Sequence, residues 1–141
     1  KLEKLFARTK LFGQYHQGWK DMSKIHPVDA VSGAFLMVRK EIFDTIGLLD
    51  EGFFMYAEDL DFCLRMSQKN MQIGFNPEVS VLHLKGASGR KNKEKKRSKA
   101  DYYFWDTMKL FYQKHYTKKY PSFLRFVIYK VLDVKKGKLP S

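Results

Sequence analysis

Only one cysteine, Cys63, stands among the 141 residues, which excludes an internal disulfide and a multi-cysteine zinc centre and suits a reducing, cytoplasmic compartment. No apolar run approaches the roughly 20 residues that a membrane-crossing helix needs. The chain starts on Lys1 rather than Met, and no charged n-region leads into an apolar h-region. The expectation is a piece of a longer protein without a secretory leader. Acidic residues are scarce at one end: beyond residue 83 there are 4 Asp/Glu against 17 Lys/Arg, whereas residues 1 to 83 carry 11 against 10. The net charge of +12 therefore belongs to the last part of the chain and is not a property of the whole. No internal repeat recurs, which excludes a solenoid.

What is present suffices for one compact domain with a core, at 44% hydrophobic residues. Residues 1 to 27, broken by Gly13, Gly18 and Pro27, predict a lead-in loop or short helix. Val28 to Val38 (VDAVSGAFLMV) is almost wholly apolar or small, as in a strand buried on both faces. Lys40 to Ile46 predicts a short helix stopped by Gly47. Leu48 to Ala57 has neither helical nor strand period and predicts a packed aromatic loop. Glu58 to Asn70 predicts a helix with Leu60, Cys63, Leu64 and Ser67 on one stripe and an Asp61–Arg65 pair one turn apart.

Gln72 to Leu84 predicts an edge strand or two short strands bent at Pro77. Residues 86 to 99 are glycine-containing and strongly basic, the composition of a mobile loop. Asp101 to Tyr116 returns to helical period. The segment from Tyr120 gives an amphipathic helix with Leu124, Val127, Ile128 and Val131 beside Arg125, Lys130, Lys135 and Lys136.

Chemistry concentrates in Asp50 to Arg65, DEGFFMYAEDLDFCLR, where five carboxylates sit among large aromatics. Clustered acids raise one another's pKa unless a cation, a metal or a helix N-terminus compensates. Two explanations compete for Glu58, Asp59 and Asp61. They cap a helix and answer its dipole, or one of them is a working base beside an apolar loop.

Three blocks in order, VSGAFLMVRKEIF, GLLDEGFFMYAEDLDFCLR and FNPEVSVLHLKGAS, resemble the second half of the catalytic domain of family 2 glycosyltransferases, in particular rhamnosyltransferase-like members. The resemblance spans about Val28 to Tyr116 and implies an α/β chain: part of the GT-A, nucleotide-diphospho-sugar transferase, fold, a mixed sheet with flanking helices. It implies a catalytic part over residues 28 to 116, with the basic loop 86 to 99 inside it, followed by a basic amphipathic tail over 117 to 141.

Carried over by residue, the resemblance puts the family's Glu-Asp pair on Glu58 and Asp59, with Asp59 as general base. His83 falls on the family's late histidine, a ligand to a divalent ion, Mn2+ or Mg2+, held mainly by an upstream Asp-x-Asp; none precedes Val28, and Asp59-Leu60-Asp61 has the spacing at the wrong place in the order. A structural role for His83 stands beside that one. Ser32, Gly33 and Ala34 match a small-residue turn near the bound sugar, or pack a buried strand. Asp50, Glu51, Tyr56 and Arg65 fall at positions of acceptor or donor contact, against the simpler roles of cap, core aromatic and helical ion pair. Phe53 and Phe54 share that choice. Ser88, Arg90 and Lys91 fall where the family's loop closes over the donor diphosphate, against the simpler role of a solvated basic loop.

The implied activity is inverting transfer of a sugar from a nucleoside-diphosphate donor to a saccharide or lipid-linked acceptor, in the synthesis of a surface polysaccharide. The residues alone are expected to be catalytically silent and to self-associate through exposed apolar surface. The amphipathic stretch from Phe123 to Val134 suits peripheral contact with the inner face of the cell membrane, against the competing role of packing on another part of a longer protein. The competing function is a non-catalytic basic module binding membrane or nucleic acid, with Tyr102, Tyr103, Phe104 and Trp105 as its aromatics. Nucleic acid is not the expected partner, because such a module leaves the acidic aromatic stretch unexplained.

Overall fold

In the computed structural model of the chain, residues 19–84 and 98–140 are described. They divide into two compact units, one containing residues up to Val28 together with Gly74–Ser80, the other Asp29–Ile73 with Val81 onward.

A two-stranded sheet pairs β1 (His26–Val28) with β2 (Ile73–Phe75), whose residues from Gly74 on belong to the first unit. The His26 ring packs on Phe75 with centroids 5.2 Å apart, and Lys20 donates to the Pro27 carbonyl. Beyond β2 the chain is irregular to Leu84, so the second strand expected after Pro77 does not form.

The second unit is helical. Its helices are α1 (Lys40–Ile46), α2 (Glu58–Gln68), α3 (Lys99–Tyr116) and α4 (Ser122–Lys136). Val28 to Val38 is not a buried strand: it runs irregularly into a 3-10 turn at Gly33–Phe35, with Ser32 to Phe35 exposed. A strand needs a neighbour to bond its backbone. Here the Ser32 hydroxyl instead caps the turn by accepting from the Ala34 amide, and the Gly33 amide turns to a side chain of α2.

α1 ends as its sequence predicts, at Gly47 with φ 79°, whose amide donates to the Phe43 carbonyl. α2 buries a different stripe from the expected one. Phe62, Cys63 and Met66 are buried together with Asp61, whereas Leu60 and Ser67 are exposed. The buried stripe is rotated because Asp61 faces inward to Lys114 and His115. Phe62 meets Phe43 of α1 at 5.5 Å between centroids. Burial pushes the Cys63 thiol up from its ordinary pKa, so it is a packed thiol and not a reactive one.

α3 starts with a capping box, in which Ser98 accepts from the Asp101 amide at 3.1 Å and the Asp101 carboxylate accepts from the Ser98 amide. The loop before α2 packs on it: Phe54 lies on Tyr103 and the edge of Tyr56 meets Phe104. α4 returns along α3 and is tied to it by Lys109–Asp133 at 2.7 Å and Lys136–Asp106 at 3.0 Å. None of the described helices is long and apolar enough to cross a membrane. Ser88, Arg90, Lys91 and the rest of the expected basic loop lie outside the described residues.

Candidate active site

The backbone entering α2 is unusual. Tyr56 and Ala57 both hold left-handed conformations, φ 71° and 66°, although neither is glycine. Such residues cost about 1–3 kcal/mol each and persist where the surroundings over-determine them. Here Ala57 is buried and Tyr56 is seated on Phe104. The turn delivers Glu58 and Asp59 as the first two residues of the helix.

Asp59 is held at both oxygens. Its Oδ2 accepts from the Gly33 amide at 2.8 Å, a partner 26 residues earlier, and its Oδ1 accepts from the Leu60 amide at 2.8 Å. A carboxylate has about four lone-pair sites, so two bonds fix its direction and leave capacity for a further proton. Glu58 stands beside it with a buried Oε2 that no described residue bonds. Both acids line a cleft of about 430 Å3 whose remaining walls are apolar, including Leu36, Met37, Phe43 and Phe62, with Gly33 at the carboxylates. A methyl group added at Gly33 would sit 3.5 Å from Asp59 Cβ and 3.6 Å from Glu58 Oε1. That is ordinary contact distance, so the protein tolerates a side chain there, and what the glycine leaves open is cleft volume against the two acids.

Behind the cleft lies a charge cluster that the residue order foreshadowed only in part. Asp61 is fully buried. The expected pair with Arg65 forms, Nε to Oδ2 at 2.8 Å. In addition Lys114 Nζ and His115 Nε2 both reach Asp61 Oδ1 at 2.7 Å from α3. Burial alone would raise the Asp61 carboxyl, but hydrogen bonds from Lys114, His115 and Arg65 outweigh it and hold the pKa below the ordinary carboxylate value. Lys114 also bonds Asp50 Oδ2 at 2.6 Å, which lowers the Asp50 pKa. For Lys114 itself, the cost of burial is outweighed by its bonds to Asp50 and Asp61, and its pKa rises. Arg65 donates on to the carbonyls of Ile46 and, at 2.8 Å, Leu48, and covers the Phe62 ring. One buried carboxylate thus joins α2 to α3 and to the segment after α1.

The structure therefore brings together Gly33, Glu58 and Asp59 of the expected site, with Ser32 and Ala34 forming the turn that aims the Gly33 amide. It puts the others elsewhere. Asp50 and Arg65 belong to the charge cluster, Glu51 is exposed, and Tyr56 and Phe53 pack the loop and do not line the cleft. His83 is exposed on irregular chain. Among the described residues no three His, Cys, Asp or Glu side chains gather as metal ligands. Lys114 and His115 were missed as site supports. The lysine and histidine in the last turn of α3 were the available signal, yet nothing local says which acid they meet.

The family model described as Glycosyl transferase family group 2 matches residues 4–131. Among curated proteins, the low-salt glycan biosynthesis hexosyltransferase Agl10 of Haloferax volcanii is 39% identical over 59 residues, 42% of this chain and 19% of that protein. The rhamnosyltransferase WbbL of Escherichia coli K12 is 38% identical over 56 residues, 40% of this chain and 21% of its own length. The N-acetylglucosaminyl-diphospho-decaprenol L-rhamnosyltransferase of Mycobacterium tuberculosis is 39% identical over 62 residues, 44% of this chain and 20% of that protein. The chain thus matches about a fifth of the length of these relatives. No solved structure matches it. With the family model covering nearly the whole chain, and rhamnosyl- and hexosyltransferases among its relatives, the chain belongs to family group 2 of the glycosyltransferases.

Proposed function

We propose that Asp59 is the general base of an inverting glycosyl transfer. It would take the proton from an acceptor hydroxyl as that oxygen attacks the anomeric carbon of a sugar carried on a nucleoside diphosphate. One displacement inverts the anomeric centre and needs one base, in contrast to the paired carboxylates of a retaining glycosidase. The observation that carries this reading is the clamped carboxylate: Asp59 is fixed by the Gly33 and Leu60 amides on the wall of an apolar cleft. Glu58, with its unbonded buried oxygen, is suited to accept a sugar hydroxyl. Family membership implies the GT-A fold, and the small sheet and four helices fit a part of it.

The names of the relatives favour a hexosyl or rhamnosyl donor, and one of them names an acceptor on a decaprenol diphosphate. A saccharide or lipid-linked acceptor in surface polysaccharide synthesis fits those names, and a lipid-linked one would be met at the inner face of the cell membrane. A divalent ion, Mn2+ or Mg2+, is implied by the family, but the described residues do not form a ligand set for it, and no step is assigned to one. The non-catalytic alternative loses its main support, because Tyr102, Tyr103, Phe104 and Trp105 are half-buried and offer no open stacking platform.

The test is transfer and donor hydrolysis by the full-length parent protein and its Asp59→Asn form across a panel of sugar nucleotides. The expected result is a loss of about a hundredfold or more with the fold intact. Near-parental turnover by Asp59→Asn would remove the assignment. Failure of the parent on every donor would return the basic-module reading.

A further inference from the structure

We propose that the outward face of α4 docks on an anionic lipid membrane. α4 has two apolar sides. Leu124, Ile128 and Leu132 are half-buried, and Tyr129 meets Tyr112 of α3 with ring centroids 5.8 Å apart. The opposite side carries Phe123 at 72% exposure, Phe126 at 62%, and Val127 and Val131 at 52% each. These four recur at helical spacing and form a stripe of about 12 Å at 1.5 Å rise per residue. Four large apolar side chains turned outward on one helix constitute a patch, and a patch marks a surface that something covers.

The charges select the occupant. Lys130 is exposed within the stripe, with its ammonium 5.6 Å from the centre of the Phe126 ring. Lys118 and Lys138, just before and just after the helix, are exposed as well, whereas the ammonium groups of Lys119 and Lys135 lie over Tyr116 and Trp105 of α3. The only acid of the helix, Asp133, is already engaged by Lys109 on the inner side. A second copy of the chain would set this lysine-bearing face against itself in a two-fold contact, like charge on like. Nucleic acid would engage the lysines and leave the phenylalanines and valines in water. An anionic bilayer answers both, with the apolar stripe in the headgroup boundary and the ammonium groups at the lipid phosphates. This surface is separate from the cleft, so it stands or falls independently of the role of Asp59.

The test is co-sedimentation of the full-length protein with vesicles of mixed phosphatidylglycerol and phosphatidylcholine, against phosphatidylcholine alone, at low and high salt. The expected result is binding to the anionic vesicles that weakens as salt rises. Phe126→Ser combined with Val131→Ser should lower the partition coefficient about tenfold or more, and Lys130→Gln about fivefold. Circular dichroism of each variant checks that the helix survives. Should the double variant fail to fold, Lys130→Gln and Val127→Ser, both at exposed positions, decide the matter. Absence of vesicle binding, equal binding to neutral vesicles, or parental binding by the folded variants would overturn the proposal. So would a concentration-dependent dimer that these substitutions abolish without any vesicle binding.

Discussion

Replacing Asp61 with alanine is expected to cost about 3–5 kcal/mol, the range for breaking a buried ion pair from one side. The figure follows from what the substitution strands. Arg65 and Lys114 each lose a carboxylate oxygen within 2.8 Å, and His115 loses its bond at 2.7 Å, around a fully buried position, with Lys114 left only Asp50 and Arg65 only the Ile46 and Leu48 carbonyls as hydrogen-bond partners among the described residues. A domain of this size has about 5–15 kcal/mol in all, so the change consumes a large part of it. Asp61→Asn keeps the shape and some of the bonds and should cost less. The pH dependence has a fixed sign. The folded pKa of Asp61 lies below its unfolded value of about 3.9, so its contribution is complete above that value and disappears as pH falls through the folded one. Asp50 acts in the same direction. Lys114 is raised, so its contribution is complete below about pH 10.4 and is lost as pH rises through its folded value. Urea unfolding followed by circular dichroism, at pH 7 and stepwise toward pH 3, measures both effects. Asp61→Ala should lower the midpoint at an unchanged slope and flatten the acid limb. A loss under about 1 kcal/mol at pH 7, with the parental acid limb retained, would refute the assignment of the cluster.

Two further substitutions separate structure from chemistry. Gly33→Ala should leave the unfolding free energy within about 1 kcal/mol, since the added methyl meets neighbours at 3.5 Å or more. Its transfer rate in the full-length protein should nevertheless fall, and an unaltered rate would mean that the substrate does not approach the acids from that side. Ala57→Val puts a branched side chain at a φ of 66° and should destabilise by about 1–3 kcal/mol in thermal unfolding, whereas Ala57→Gly should be tolerated.

Local signals in the amino-acid order carried the helices well. Gly47 stops α1, and the helical acids of Glu58–Asp59–Asp61 open α2, because both effects act within one turn. The Val28 to Val38 run misled, since apolar content reports a wish for burial and not the presence of a neighbouring strand. Asp61 misled in the opposite sense. A carboxylate four residues before an arginine is normally a surface pair, and here Lys114 and His115, more than fifty positions away, turn it inward and rotate the buried stripe with it. Asp59 was singled out through family resemblance alone, and its contact with the Gly33 amide was not foreseen, because no spacing rule joins residues 26 apart. On α4 the helical period holds but the expected apolar face divides, with Leu124 and Ile128 half-buried and Val127 and Val131 exposed.

The long reach of the Asp61 cluster also has a meaning in time. Chains are made at roughly 5–20 residues per second, so Lys114 and His115 follow Asp61 from the ribosome by about 3–10 s. Through that interval the helix that presents the two acids of the cleft has its arginine but neither Lys114 nor His115. Completion of the wall that carries Glu58 and Asp59 is thereby coupled to the emergence of α3, a helix none of whose described residues lines the cleft.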